Sequence, residues 1–175
     1  LTFQFKDKVY VADIDEVVVV DINTAKIIEK IPMPDAILLN DVAADARGTI
    51  YISDTFSGRV YRIKNQQVDI YIEGLWGPNG LWAEPDRLIV SAANQIFAYN
   101  SAKEAVQLGS NFALDIDGIT PFKCNGYLVS SWDGMIWFFS KTFSPRSARL
   151  LTVSLFLVAI AVESLVVISN FHQLS

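Results

Sequence analysis

The sequence predicts an all-β chain folded as a β-propeller, with four blades and part of a fifth. Three observations predict it. A short strand motif recurs at a nearly constant interval, and each copy is followed by a polar turn and a second strand. No segment before residue 150 shows a sustained helical period. The strands are rich in β-branched and aromatic residues, which suit a pleated, packed surface.

The motif appears as Val9–Asp13, Ile50–Asp54, Leu88–Ala92 and Tyr127–Ser131, whose last residues are 41, 38 and 39 apart. The partner strands are Val17–Ile22, Val60–Ile63, Ile96–Tyr99 and Ile136–Phe139. Gly58 and Gly134 stand in the connecting turns, where tight hairpins call for positive φ. Turn-like stretches at Ala44–Gly48, Ala83–Asp86 and Pro121–Gly126 separate the motif from a preceding apolar strand. Fourth strands are expected at Lys26–Glu29, Val68–Ile72 and Ala105–Leu108. Four antiparallel strands in about forty residues is the unit of a propeller blade. A β-sandwich does not repeat one hairpin at a fixed interval. The blades are expected at 1–38, 39–77, 78–115 and 116–152, with a partial blade or an apolar tail over 153–175. Four blades and a part make an open arc, whose raw strand edges invite self-association.

Residues 150–169 carry a single charge, Glu163, so two readings stand. One is a membrane span. The other is a fifth blade, because 166–170 repeats the pattern of 127–131 at blade spacing. Leu1 already belongs to a strand-like run, so the chain is expected to be a piece of a longer protein.

Composition narrows the function. The chain has 175 residues, 51% hydrophobic and 19% charged, so it can bury a core. Its net charge is −5, and it has no basic run or stripe, so nucleic acid is not expected as a partner. Cys124 is the single cysteine, so no internal disulfide can form, and no Cys/His cluster supports zinc or thiol chemistry. His172 is the single histidine and lies near the C-terminal end, which argues against histidine catalysis. No compartment is assigned by these features.

The chemistry is expected just before the innermost strand of each blade. Asn40, Asn79 and Asp117 are 39 and 38 residues apart, the blade interval, and equivalent positions in adjacent blades converge near the propeller axis. Two carboxamides and a carboxylate form an oxygen-rich set of the kind calcium takes. Gly80 and Gly118 follow two of them and leave room for close approach. Capping of the local loops is the competing role for the same residues.

Asn40-Asp41, Pro78-Asn79-Gly80-Leu81 and Asp117-Gly118, in this order and spacing, resemble the senescence-marker protein/gluconolactonase/luciferin-regenerating enzyme family over about residues 1–140. The resemblance extends more loosely to paraoxonases and strictosidine-synthase-like propellers. It implies a ring of six blades with a divalent ion, usually calcium, in the axial channel, and hydrolysis of lactones or related esters. By position it implies Asn79 and Asp117 as metal ligands, Asn40 as a residue touching ion or substrate, and Asp41 in support; for catalysis, Asp117 or a carboxylate of a blade not in this chain is expected to hold or deprotonate the attacking water. The family's remaining ligand, a glutamate of the first blade, has no counterpart here. The alternative is a non-catalytic propeller of the NHL or YVTN type that binds a ligand or protein.

Other residues carry weaker signals. Trp76 and Trp82 flank Asn79 and could wall a substrate pocket, although inter-blade packing is the commoner role. Trp132-Asp133-Gly134 reads as a turn with a packed tryptophan. The carboxylates Asp13, Asp15 and Glu16 read as a solvated turn. Cys124 stands in a turn beside Lys123, where a lowered thiol pKa has no support.

Overall fold

The computed structural model describes residues 1–110, 115–122, 126–140 and 149–151. These residues form four antiparallel sheets of four strands, each in simple chain order. The first contains β1 (Thr2–Phe5), β2 (Lys8–Asp13), β3 (Glu16–Asp21) and β4 (Lys26–Pro32). The second contains β5 (Leu39–Ala44), β6 (Ile50–Asp54), β7 (Arg59–Lys64) and β8 (Gln67–Ile72). The third contains β9 (Pro78–Ala83), β10 (Arg87–Ala92), β11 (Gln95–Asn100) and β12 (Ala105–Gly109). The fourth contains β13 (Ile116–Phe122), β14 (Gly126–Ser131), β15 (Ile136–Ser140) and β16 (Arg149–Leu151). These are the blades of a propeller, as the repeat predicts.

The motif strands of the second and third blades read as nearly continuous apolar runs because a neighbouring blade covers each of their faces. In β10, Leu88 and Val90 pack with Tyr71 and Val60 of the second blade. Ile89, between them, packs with Ile119 and Val129 of the fourth. Between the first and second blades, Val17 and Met33 meet Leu39, Ile50 and Ile52. Each inter-blade layer is therefore one core, and alternate residues of a strand serve alternate neighbours.

Two predicted features need adjustment. The first blade's outer strand runs on to Pro32, three residues past the expected end. The apolar run from residue 150 begins as the fourth blade's outer strand, with Leu150 and Leu151 opposite Trp137 and Ile136. Beyond residue 151 the fifth blade and the membrane span fall outside the described residues, as do Cys124 and His172. No helix among the described residues is long and apolar enough to cross a membrane.

In a four-stranded antiparallel blade, the turn between the second and third strands and the connection to the next blade lie at the same end. Hydrogen bonds tie them there. Leu39 N–H donates to the Ile14 carbonyl at 2.8 Å, and Ile116 N–H to the Ala93 carbonyl at 2.8 Å. Pro78 has no N–H. At that junction the Thr55 hydroxyl donates to the Pro78 carbonyl at 2.9 Å. The innermost strands β5, β9 and β13 begin at this end and lie side by side in succession.

Candidate functional site

Each innermost strand begins with a break in its ladder. Leu39 pairs with Asp54 and Val42 with Ile52, so Asn40 and Asp41 together oppose Ser53. Pro78 pairs with Ala92 and Leu81 with Val90, so Asn79 and Gly80 oppose Ser91. Ile116 pairs with Ser131 and Ile119 with Val129, so Asp117 and Gly118 oppose Ser130. Two residues against one is a β-bulge, which frees backbone groups from the ladder and commonly occurs beside functional sites. The buried serine satisfies what the bulge leaves open. Ser53 Oγ accepts the Asp41 N–H at 2.9 Å, and Ser130 Oγ accepts the Gly118 N–H at 2.9 Å. Ser91 Oγ donates to the Gly80 carbonyl at 3.4 Å. Sequence reading missed the bulges, although a serine in the same place of three motif strands was their visible trace.

The second bulge position differs between blades for steric reasons. A Cβ on Gly80 would lie 2.4 Å from the Asp117 carbonyl oxygen and 3.0 Å from the Ile119 nitrogen. Only glycine lets the third and fourth blades approach this closely. In the second blade Asp41 occupies this position, and its Oδ2 accepts the Leu81 N–H of the third blade at 2.7 Å. Oδ1 accepts the adjacent Val42 N–H at 2.8 Å. Asp41 is thus a clip between blades as well as a carboxylate near the axis.

The structure brings Asn79, Asp117 and Asp41 together. Asn79 is 5% exposed, and its Oδ1 has no hydrogen-bond partner. Burial pushes the Asp117 carboxyl above the usual carboxylate range, against the opposing pull of the Asn79 amide and the Leu1 amino group. Burial likewise pushes Asp41 up to about 6. The Leu81 and Val42 N–H groups and the Leu1 amino group pull it down, and the charge of Asp117 adds to the push. Two carboxylates held where ionisation is disfavoured, beside an orphaned amide oxygen, make a site short of positive charge.

Asn40 enters differently. Its Nδ2 donates to Thr55 Oγ1 at 3.0 Å, and its backbone carbonyl accepts from the Leu1 amino group at 2.9 Å. Its amide therefore supports the bond from Thr55 to Pro78, and the capping role applies to that half of the side chain. The tryptophans part company. Trp82 is half-buried against the core between the third and fourth blades, the packing role expected for such tryptophans. Trp76 is 84% exposed, three residues before Asn79 on the connection that enters β9, so it does not pack between blades. Trp132, expected to pack, is also exposed, at 71%. Asp133 beside it accepts from the Met135 N–H at 3.1 Å and from the Ser131 hydroxyl, a turn-capping role. Glu16 pairs with Lys30, so that carboxylate of the first turn is not free.

A divalent cation suits part of this donor set. No three His, Cys, Asp or Glu side chains group together among the described residues. A cage here would join the Asp117 carboxylate to the Asn79 amide oxygen, with Asp41 adding charge. Backbone and water would complete the six to eight oxygens that calcium takes.

Neither a protein-family profile nor a curated protein sequence matches the chain. Solved structures do. A chain of the nidogen/laminin complex superposes with a TM-score of 0.73 at 17% identity, over 83% of this chain and 60% of that one. Virginiamycin B lyase from Staphylococcus aureus gives a TM-score of 0.72 at 13% identity, over 87% of this chain and 55% of that one. A streptogramin B lyase gives 0.72 at 14% identity, over 87% of this chain and 54% of that one. The chain thus spans little more than half the length of these proteins. Likeness at such identities establishes the β-propeller and leaves the chemistry to the site.

Proposed function

We propose that the axial cluster binds a divalent cation, calcium by its donor chemistry, and hydrolyses a lactone or related ester. The orphaned Oδ1 of Asn79 carries this reading. A buried amide oxygen without a partner is costly, and a cation between it and Asp117 would satisfy it. The bound ion would polarise an ester carbonyl and acidify water. Asp117, with its carboxyl raised by burial, is the base that takes the proton of the attacking water. As the C–O bond breaks, that proton passes to the leaving alkoxide. Asn79 holds Asp117 from the side, and Asp41, fixed by Leu81, adds the second negative charge that favours the cation.

The test joins binding to turnover. Calcium raises the melting temperature of the full chain, and Asn79→Ala abolishes the rise. Hydrolysis across a panel of lactones and esters stops with chelator and falls at least about a hundredfold in Asp117→Ala, the usual worth of a positioned base. Activity that survives both chelation and Asp117→Ala ends the proposal. The exposed Trp76, Trp132 and Phe56 favour a second reading, a binding propeller of the NHL or YVTN type. Calcium uptake with no turnover of any ester decides for it.

A further inference from the structure

The loop end that opens onto the axial cluster is chemically one-sided. Its connections carry Ile14, Ile37, Phe56, Trp76 and Trp132, each more than half exposed. The same connections carry Asp15, Asp35, Glu73, Asp115 and Asp133, and among the described residues no Lys, Arg or His. The cations gather at the opposite end, in or beside its turns, as Lys6, Lys8, Lys26, Arg47, Lys64 and Lys103. Arg59, which begins β7 at the acidic end, faces Asp35 and Glu73, and Lys30 pairs with Glu16.

Two of the aromatics lie on the connections that adjoin the site. Phe56 follows Thr55, whose hydroxyl accepts from Asn40 and donates to Pro78. Trp76 precedes Asn79 by three residues. The loops of Phe56 and Trp76 are joined by the Leu75 N–H to the Gly58 carbonyl at 3.0 Å. A Cβ on Gly58 would lie 2.5 Å from the Leu75 oxygen, so the two loops are in backbone contact. Three large aromatic side chains left in water on an acidic loop end are not explained by folding. They suit a ligand with an apolar body and a positive charge, which aromatic faces and carboxylates both attract.

We propose that the substrate of this site is a cationic apolar ester or lactone, its apolar body lying against Phe56 and Trp76 while its carbonyl reaches Asn79 and Asp117. This rests on the proposed function for where the carbonyl sits, but not on turnover, so the test reads binding alone. The probes are three anilides of butyric acid, which resist hydrolysis, bearing trimethylammonium, methyl or carboxylate at the para position. Their affinities for the full chain are measured by calorimetry with calcium present and again with chelator. The trimethylammonium compound binds about tenfold more tightly than the methyl compound, and the carboxylate about tenfold more weakly, each step being roughly 1.4 kcal/mol. Raising salt to about 0.5 M compresses the series. Trp76→Ala weakens the cationic probe about tenfold and leaves the melting temperature unchanged, because the indole is exposed. Equal affinity for all three probes, or an unchanged affinity in both Trp76→Ala and Phe56→Ala, overturns the proposal. Selective binding that persists without calcium or turnover upholds it even where the hydrolase reading fails. Calcium-dependent hydrolysis that ignores the charge of the substrate does the reverse.

Discussion

Asp41 is predicted to make the ion-free protein less stable at neutral pH than in mild acid. Its carboxyl moves from an ordinary 3.8 to about 6 on folding, mainly because burial disfavours the charge. At about 1.4 kcal/mol for each pH unit, the difference is about 3 kcal/mol, a large part of a typical domain's stability. The fold favours the neutral carboxyl. Its contribution is complete below the unfolded value and is lost as pH rises through the folded one, so the window lies between about pH 4 and pH 6. Asp45 and Asp54 have the opposite sign. Burial pushes both up, but backbone donors outweigh it and hold them below the ordinary range. Their stabilisation is present above the ordinary value and fades only as pH falls below about 4, outside the Asp41 window. Urea unfolding with chelator should show stability falling by about 2 kcal/mol or more from pH 4 to pH 7. Asp41→Asn keeps an acceptor for Leu81 and removes the charge, so it should flatten the profile and exceed the wild type by about 2 kcal/mol above pH 6. Calcium should remove most of the wild-type slope by neutralising the site. Parallel profiles for wild type and Asp41→Asn across this range would refute the reasoning.

Two further outcomes follow from the same geometry. Gly80→Ala places a methyl against the backbone of β13, which cannot yield as a side chain would, and should cost about 2–3 kcal/mol in urea unfolding. Asp54 is fully buried and accepts N–H groups from Ile37, Leu38, Phe56 and Ser57. Asp54→Ala should cost at least about 3 kcal/mol, and Asp54→Asn clearly less, because the amide oxygen still accepts. Equal losses in the two Asp54 variants would show that the carboxylate is not what holds the connection between the first two blades.

The fold was legible because its signals are local and repeated. Each hairpin is written in consecutive residues, and four copies at one interval reinforce one another. The first bulge position was legible for the same reason, since Asn40, Asn79 and Asp117 recur at the blade spacing. What lay between blades was not. The main partner of Asp41 is a backbone N–H forty residues away, and no pattern in the chain marks which N–H a carboxylate will meet. The tryptophans failed as guides because size and apolarity describe Trp76 and Trp82 equally. Only position on the blade separates them, Trp76 on the connection entering β9 and Trp82 near the far end of that strand.

The bulges explain why fold and site occupy the same residues. A regular innermost strand, paired on one side only, would bond alternate residues to its neighbour in an unbroken ladder. The extra residue releases one backbone unit per blade, and the serine opposite holds that unit without returning it to the ladder. The second blade uses its spare position for a charge, Asp41, and the third and fourth use theirs for glycine. The negative charge therefore enters from β5 and β13 on either side of Asn79. That arrangement sets the strand carrying the uncharged, orphaned oxygen between the two strands that carry carboxylates, so a cation bound to Asn79 would be favoured by negative charge entering from either side.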